Sequence, residues 1–161
     1  MIKINLITVG KLKEQYWRDA VKEYQKRLST SCKLEIIELA ESRLNDDPCE
    51  KQIAAALESE AKAMQPYLDI KGSYTVAMCI EGRQLTSEEL SQKLEECALN
   101  GFSTVNFIIG SSFGIAPAIK EKAQLRLSMS KMTFPHQLAR VMLAEQIYRA
   151  FQISAHSKYH K

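Results

Sequence analysis

The run Leu127-Ser128-Met129-Ser130-Lys131-Met132-Thr133-Phe134-Pro135-His136 joins an apolar segment to the longest helical pattern in the chain. Upstream, Val105-Asn106-Phe107-Ile108-Ile109 reads as a buried strand that breaks at Gly110-Ser111-Ser112-Phe113-Gly114. A short helix near Pro117–Gln124 and a further strand, Leu125–Met129, separate that glycine turn from the serine-rich loop. Within thirty residues the pattern is therefore strand, turn, helix, strand, exposed loop, helix. This is how α/β proteins place backbone N–H and C=O groups around a ligand, at the carboxyl ends of neighbouring strands.

Outward from this stretch the same alternation continues. Ile2, Ile4, Leu6, Ile7 and Val9 form a first strand apolar on both faces, as in sheets covered by helices on both sides. Tyr16, Trp17, Ala20, Val21, Tyr24 and Leu28 recur at helical spacing, predicting a helix over roughly Glu14–Leu28. Leu34–Leu39 is a second strand. Asp47-Pro48-Cys49-Glu50 reads as a helix start, with Asp47 as the cap and the helix ending at Pro66. Tyr74–Ile80 is a third strand. Thr86-Ser87-Glu88-Glu89 is a capping box for a helix stopped by Asn100-Gly101, and a last helix runs from Pro135 to about Ile153. Strands alternating with helices define an α/β class with a parallel-type sheet of about five strands. No linker or repeat divides the 161 residues, so residues 1–161 are expected to form one domain.

Composition excludes several classes. Hydrophobic content is 45% and charged content 25%, ordinary for a soluble globular protein. No apolar run approaches the roughly 20 residues that span a bilayer, and a secretory signal pattern is absent, so a cytoplasmic protein is expected. Cys32, Cys49, Cys79 and Cys97 show no Cys-x-x-Cys spacing, and His136, His156 and His160 have no zinc-site spacing, so no metal is expected. The first turn, Gly10-Lys11-Leu12-Lys13, lacks Gly-x-Gly, which argues against a dinucleotide fold and the common methyltransferase architecture. Charge is unevenly spread: residues 1–33 carry +5 and 120–161 carry +6, while 34–69 carry −6. If the basic ends converge, they form a patch suited to phosphates. Glu145 falls within the apolar stripe of the last helix. Arg149 at i+4 offers it a local partner, and the stripe itself is favoured as a subunit interface.

Ile109-Gly110, the Ser128–Gln137 run, Glu145-Gln146-Ile147-Tyr148-Arg149-Ala150 and the terminal Tyr159-His160-Lys161 together resemble the pseudouridine N3-methyltransferases of the ribosomal large subunit (RlmH family), within the SPOUT or trefoil-knot methyltransferases. The likeness runs from Val9-Gly10-Lys11-Leu12-Lys13 to the last residue. It implies a single SPOUT domain with a C-terminal trefoil knot and a homodimer. The implied reaction transfers a methyl group from S-adenosyl-L-methionine to N3 of a pseudouridine in 23S ribosomal RNA, on the ribosome. Carried over position by position, the resemblance implies cofactor contacts at Met78, Gly110, Met129, Ser130, Lys131, Met132, Thr133 and Phe134. His160 and Tyr159 are the first catalytic candidates, supported by Arg149, Arg140 and His136. Ser111, Phe113 and Met78 depart from the family's usual residues; Ser111 matters only if its position requires positive φ. The alternatives are a flavodoxin-like nucleotide-binding regulatory module and a dimeric structural protein without chemistry.

Overall fold

The computed structural model describes residues 1–160. Five strands form one parallel sheet: β1 (Lys3–Val9), β2 (Lys33–Leu39), β3 (Ser73–Gln84), β4 (Thr104–Ile109) and β5 (Leu125–Ser128), in the order β2-β1-β4-β3-β5. Helices α1 (Gln15–Leu28), α2 (Glu50–Leu68), α3 (Ser87–Leu99), α4 (Pro117–Lys122) and α5 (His136–Ser154) cover both faces. The α/β class read from the alternation of elements is the observed one.

Strand alternation sorts the core into two layers. Ile4, Leu6, Val105, Phe107 and Ile109 face α1, α3 and α5, where Leu28, Leu94, Leu143 and Ile147 close the packing. Ile7, Val9, Ala77 and Ile108 face the other way, against Met64 of α2 and Ile119 of α4. On that second face two strands carry buried asparagines at paired register positions, Asn5 and Asn106. Asn5 Nδ2 donates to Asn106 Oδ1 (2.8 Å), and Asn106 Nδ2 donates to the Tyr67 carbonyl at the end of α2 (3.0 Å). The amide pair fastens the end of a helix to the middle of the sheet.

Two helix boundaries differ from the sequence expectation. The N-cap of α2 is Cys49, not Asp47; Cys49 N–H is met by Gln52 Oε1 (2.8 Å), and Pro48 stays outside the helix. The helix also passes through Pro66 to Leu68. Proline removes one N–H and crowds one carbonyl. Here the last turn is held by Asp69 N–H on the Gln65 carbonyl and by the Asn106–Tyr67 bond. At α3 the expected box is present, with Glu89 N–H on Thr86 Oγ1 (3.1 Å) and Thr86 N–H on Glu89 Oε2 (2.7 Å).

β3 is longer than its apolar run. Leu127 of β5 pairs with Met78 and again with Arg83, so residues 79–82 wrap around the end of β5 between two registers. A Cβ on Gly82 would stand 2.8 Å from backbone atoms of Arg126 and Leu127. Only a residue without a side chain lets the wrap close this tightly.

The asparagine pair is testable. Asn106→Ala leaves Asn5 and the Tyr67 carbonyl unpaired in a dry layer, and should lower unfolding stability by about 1–3 kcal/mol. Urea titration followed by circular dichroism checks this; an unchanged midpoint would show that the pair contributes nothing.

Candidate active site

The carboxyl ends of β3, β4 and β5 face a cavity of about 640 Å³, within the range for small-molecule sites. Its walls are largely apolar: Met78 and Ile80 from β3, Ile109 from β4, Leu127 from β5, and Met129, Met132 and Phe134 from the loop that follows. Seven of the eight expected cofactor positions line it. Lys131 does not; it is exposed on the outer side of the loop. The loop is shaped by its own serines. Ser128 Oγ donates to the Ser130 carbonyl (2.9 Å), and Met132 N–H donates to Ser130 Oγ (3.0 Å).

The turn after β4 is held from within. A Cβ on Gly110 would lie 2.1 Å from the Gly114 carbonyl oxygen, and Gly114 itself has φ +89°. Ser111 N–H and C=O face Gly114 in an isolated bridge, with Gly114 N–H on the Ser111 carbonyl (2.9 Å). The resemblance implies a cofactor contact at Gly110. Its nearest steric constraint is the protein's own turn, so a larger residue there deforms the turn as well as the cavity wall. The Ser111 departure is harmless to the backbone, since His156 (φ 52°) is the one non-glycine residue with positive φ among the described residues.

Ser111 has another task. Its hydroxyl donates to Glu60 Oε2 (3.2 Å) across to α2, and Glu60 is only 4% exposed. Burial pushes the Glu60 carboxyl above its ordinary value of 4.5, outweighing the Ser111 hydroxyl and the Ser42 backbone N–H that favour the charge. Ala56, Glu60 and Met64 are spaced by four and buried on one stripe of α2. The apolar stripe Ile53, Leu57, Ala61 and Met64 runs beside Glu60, so the sequence pattern alone does not single out this carboxylate.

The catalytic candidates do not gather at one point. His136 lines the cavity at the start of α5, and burial, aided by Arg140, depresses its basicity, so its ring is held neutral. Arg140 is 1% exposed. Its Nη2 donates to the carbonyls of Val9 and Gly10 (2.9 Å each) and its Nη1 to Glu38 Oε2 (3.1 Å). It was expected as a support for catalysis; the structure commits it to fastening α5 onto the ends of β1 and β2. Burial lowers its pKa, partly offset by Glu38.

The terminal residues lie elsewhere. Tyr159 packs edge-on against Tyr148 (4.9 Å between centroids) and under the Arg149 guanidinium (4.8 Å), and its hydroxyl donates to Glu145 Oε1 (3.2 Å). Arg149 also holds Glu145 through Nη2 (2.7 Å) and Nε (3.0 Å), the local pairing that the i,i+4 spacing implied. His160 Nε2 is 2.6 Å from Glu88 Oε1, and its Nδ1 is 3.5 Å from Arg149 Nη1. The expected tail residue Lys161 lies outside the described residues. Glu145 borders a second cavity, about 610 Å³, between α3 and α5. Met78, Leu127, Ser128 and Met129 line both cavities, so the ends of β3 and β5 form the wall between them. The basic ends do converge: α1 and α5 pack together, with Tyr24 near Tyr148 (6.3 Å) and Arg27 over both rings.

Among the described residues no cluster of three or more His, Cys, Asp or Glu side chains is arranged to hold a metal. Among the described residues no helix is long and apolar enough to cross a membrane. A parallel sheet with an apolar cavity at the carboxyl ends of β3, β4 and β5, and a first turn without Gly-x-Gly, sets the protein apart from dinucleotide enzymes within the α/β class. The model described as "Predicted SPOUT methyltransferase" matches residues 2–160, and the chain belongs to that family. A protein from Bifidobacterium adolescentis named ribosomal RNA large subunit methyltransferase H is 50% identical over 163 residues, covering 99% of this chain and 100% of its own. One of the same name from Leuconostoc mesenteroides is 46% identical over 160 residues with the same coverage. A probable methylase family protein from Haemophilus influenzae Rd KW20 has the same fold, with a TM-score of 0.56 at 12% identity, over 100% of this chain and 72% of that one.

Glu60 sets a pH dependence. A carboxyl whose folded pKa lies above its unfolded value contributes stability that is full below about 4.5 and is lost as pH rises through the folded pKa. Glu60→Gln keeps an acceptor for Ser111 and lacks that loss. Its melting temperature should gain on the wild type as pH rises from 4 towards neutrality. A constant difference across that range would show that Glu60 is not buried as a carboxylate.

Proposed function

We propose that this protein methylates large-subunit ribosomal RNA, at N3 of a pseudouridine in the 23S molecule, using S-adenosylmethionine. The observation that carries the reading is the cavity at the ends of β3, β4 and β5, lined by Met78, Gly110 and the 129–134 loop. The full-length similarity to the two proteins named ribosomal RNA large subunit methyltransferase H supports the choice of RNA. The residues present fit the donor: a mostly apolar slot for a flat ring, edged by loop backbone groups and by hydroxyls of Ser130 and Thr133.

S-adenosylmethionine supplies a methyl group already activated on a sulfonium. The protein's task is therefore alignment, plus removal of the N3 imide proton. Met78, Met132 and Phe134 clasp the adenine, and the loop backbone from Met129 to Phe134 with Gly110 reads its polar edge. His160 accepts the N3 proton and Arg149 steadies charge growing on the base carbonyls, with Tyr159 against the base. In the docked tail both His160 ring nitrogens are engaged, by Glu88 and Arg149. The tail must leave Glu88 before His160 takes a proton, and it then serves the cavity of a second copy. Val141 and Met142, only half-buried along the second cavity, form the face on which two chains pair in the cytoplasm.

The reaction is tested with ribosomes from cells that lack the modification, labelled S-adenosylmethionine and mass spectrometry of the digested RNA. Wild-type protein should place label at N3 of a pseudouridine, and His160→Ala should lower the rate by about 10²–10⁴-fold. Label appearing on another base, or none, would refute the reading. Pairing is tested separately. Sedimentation at micromolar concentration should give a dimer, and Met142→Glu should give monomers; a monomeric wild type would exclude shared sites.

A further inference from the structure

The cavity has one feature that the adenine and the methyl group do not use. Among its lining residues stand a single carboxylate, Glu81, and a single ammonium, Lys120. They come from β3 and α4, 39 residues apart, and meet with Lys120 Nζ 2.5 Å from Glu81 Oε1. Each is carried on stiff backbone. Gly82, next to Glu81, lies against the β5 backbone, and Ile119, next to Lys120, is buried in the core.

As a stability device the pair is poor. Both heads reach solvent, with side-chain exposures of 24% for Lys120 and 56% for Glu81, and exposed ion pairs add little to folding. As a recognition device it is well formed. Hydrogen bonding to Lys120 holds the Glu81 carboxyl below its ordinary range, so it is ionised at neutral pH. A zwitterion carrying one ammonium and one carboxylate exchanges this single ion pair for two without leaving any charge unpaired.

We propose that Glu81 and Lys120 receive the amino-acid head of the methyl donor, Glu81 taking its α-ammonium and Lys120 its α-carboxylate. The inference rests on the S-adenosylmethionine reading above and adds to it the two residues that read the half of the molecule distant from the adenine. The head is thereby fixed at the far end of the slot, which sets where the sulfur and its methyl stand relative to the incoming base.

Calorimetric titration of the wild type, Glu81→Gln and Lys120→Gln tests this with three ligands. S-adenosylhomocysteine carries the whole head, decarboxylated S-adenosylmethionine keeps only the ammonium, and methylthioadenosine has neither charge. Both variants should lose at least tenfold in affinity for S-adenosylhomocysteine and stay within about twofold of wild type for methylthioadenosine. The decarboxylated ligand should respond to Glu81→Gln and not to Lys120→Gln. Parallel losses for S-adenosylhomocysteine and methylthioadenosine would overturn the proposal, because the pair would then serve the nucleoside or the shape of the cavity. So would unchanged S-adenosylhomocysteine affinity in both variants. A wild type that binds none of the three ligands would instead remove the cofactor reading, and this inference with it.

Discussion

The constraint that shapes the edge of the sheet is the approach of Gly82 to the backbone of Arg126 and Leu127, where a single added carbon would stand at 2.8 Å. The wall of the cavity on the β3–β5 side follows from it. Because residues 79–82 wrap around β5, Met78 and Arg83 both pair with Leu127. The wrap brings Ile80 and Glu81 to one wall and Met129 to the other. The glycine turn at Gly110–Gly114 solves the same problem one strand away, again by backbone lying on backbone. A ligand site made of loop edges needs loops that cannot breathe, and glycine contacts of this kind stiffen them without spending side chains.

Two buried ionisable groups support that frame from below, and they differ in kind. Arg140 is neutralised by Glu38 and satisfied by two strand-end carbonyls, so it links α5 to β1 and β2; its Nε alone lacks a partner. Arginine suits this place because one planar fork reaches three acceptors at once. Glu60 has no cation. It meets a hydroxyl and a backbone N–H, and burial favours its neutral form. The first group is a fastening; the second couples the turn behind the cavity to α2 and makes that contact sensitive to protons.

Much of this was legible in residues. The two-faced apolar strands, the Thr86 box and the Gly101 stop gave the element order, because short-range chemistry settles them. The start and end of α2 were not legible: a rival local capping box, Gln52 on Cys49 N–H, displaced Asp47 at the start, and the tertiary bond from Asn106 to the Tyr67 carbonyl holds the turn beyond Pro66 at the end. The fastening role of Arg140 needed the neighbours of α5 to be known. Its position three and four residues before Leu143 and Ala144, both buried, was the available signal. Nothing periodic marks Gly82. A glycine at a wrap looks like any strand end until the partner strand is in place. The cavity positions came from the resemblance, and the geometry gathers seven of the eight while leaving Lys131 outside.

The docked tail poses an energetic question that the contacts themselves answer. Tyr159 against Tyr148 contributes on the order of 0.5–1.5 kcal/mol beyond the area it covers. The His160–Glu88 contact is exposed and screened by salt, and it weakens further whenever the ring is neutral. No apolar side chain of the last six described residues is fully buried. Glu145, in contrast, retains Arg149 and Gln146 when Tyr159 departs, so undocking strands no buried charge. The tail is therefore held by contacts that cost little to break and leave nothing unsatisfied behind. That is the physical condition for a segment that can leave its own chain, since any surface that competes for it has only a small opposing energy to overcome.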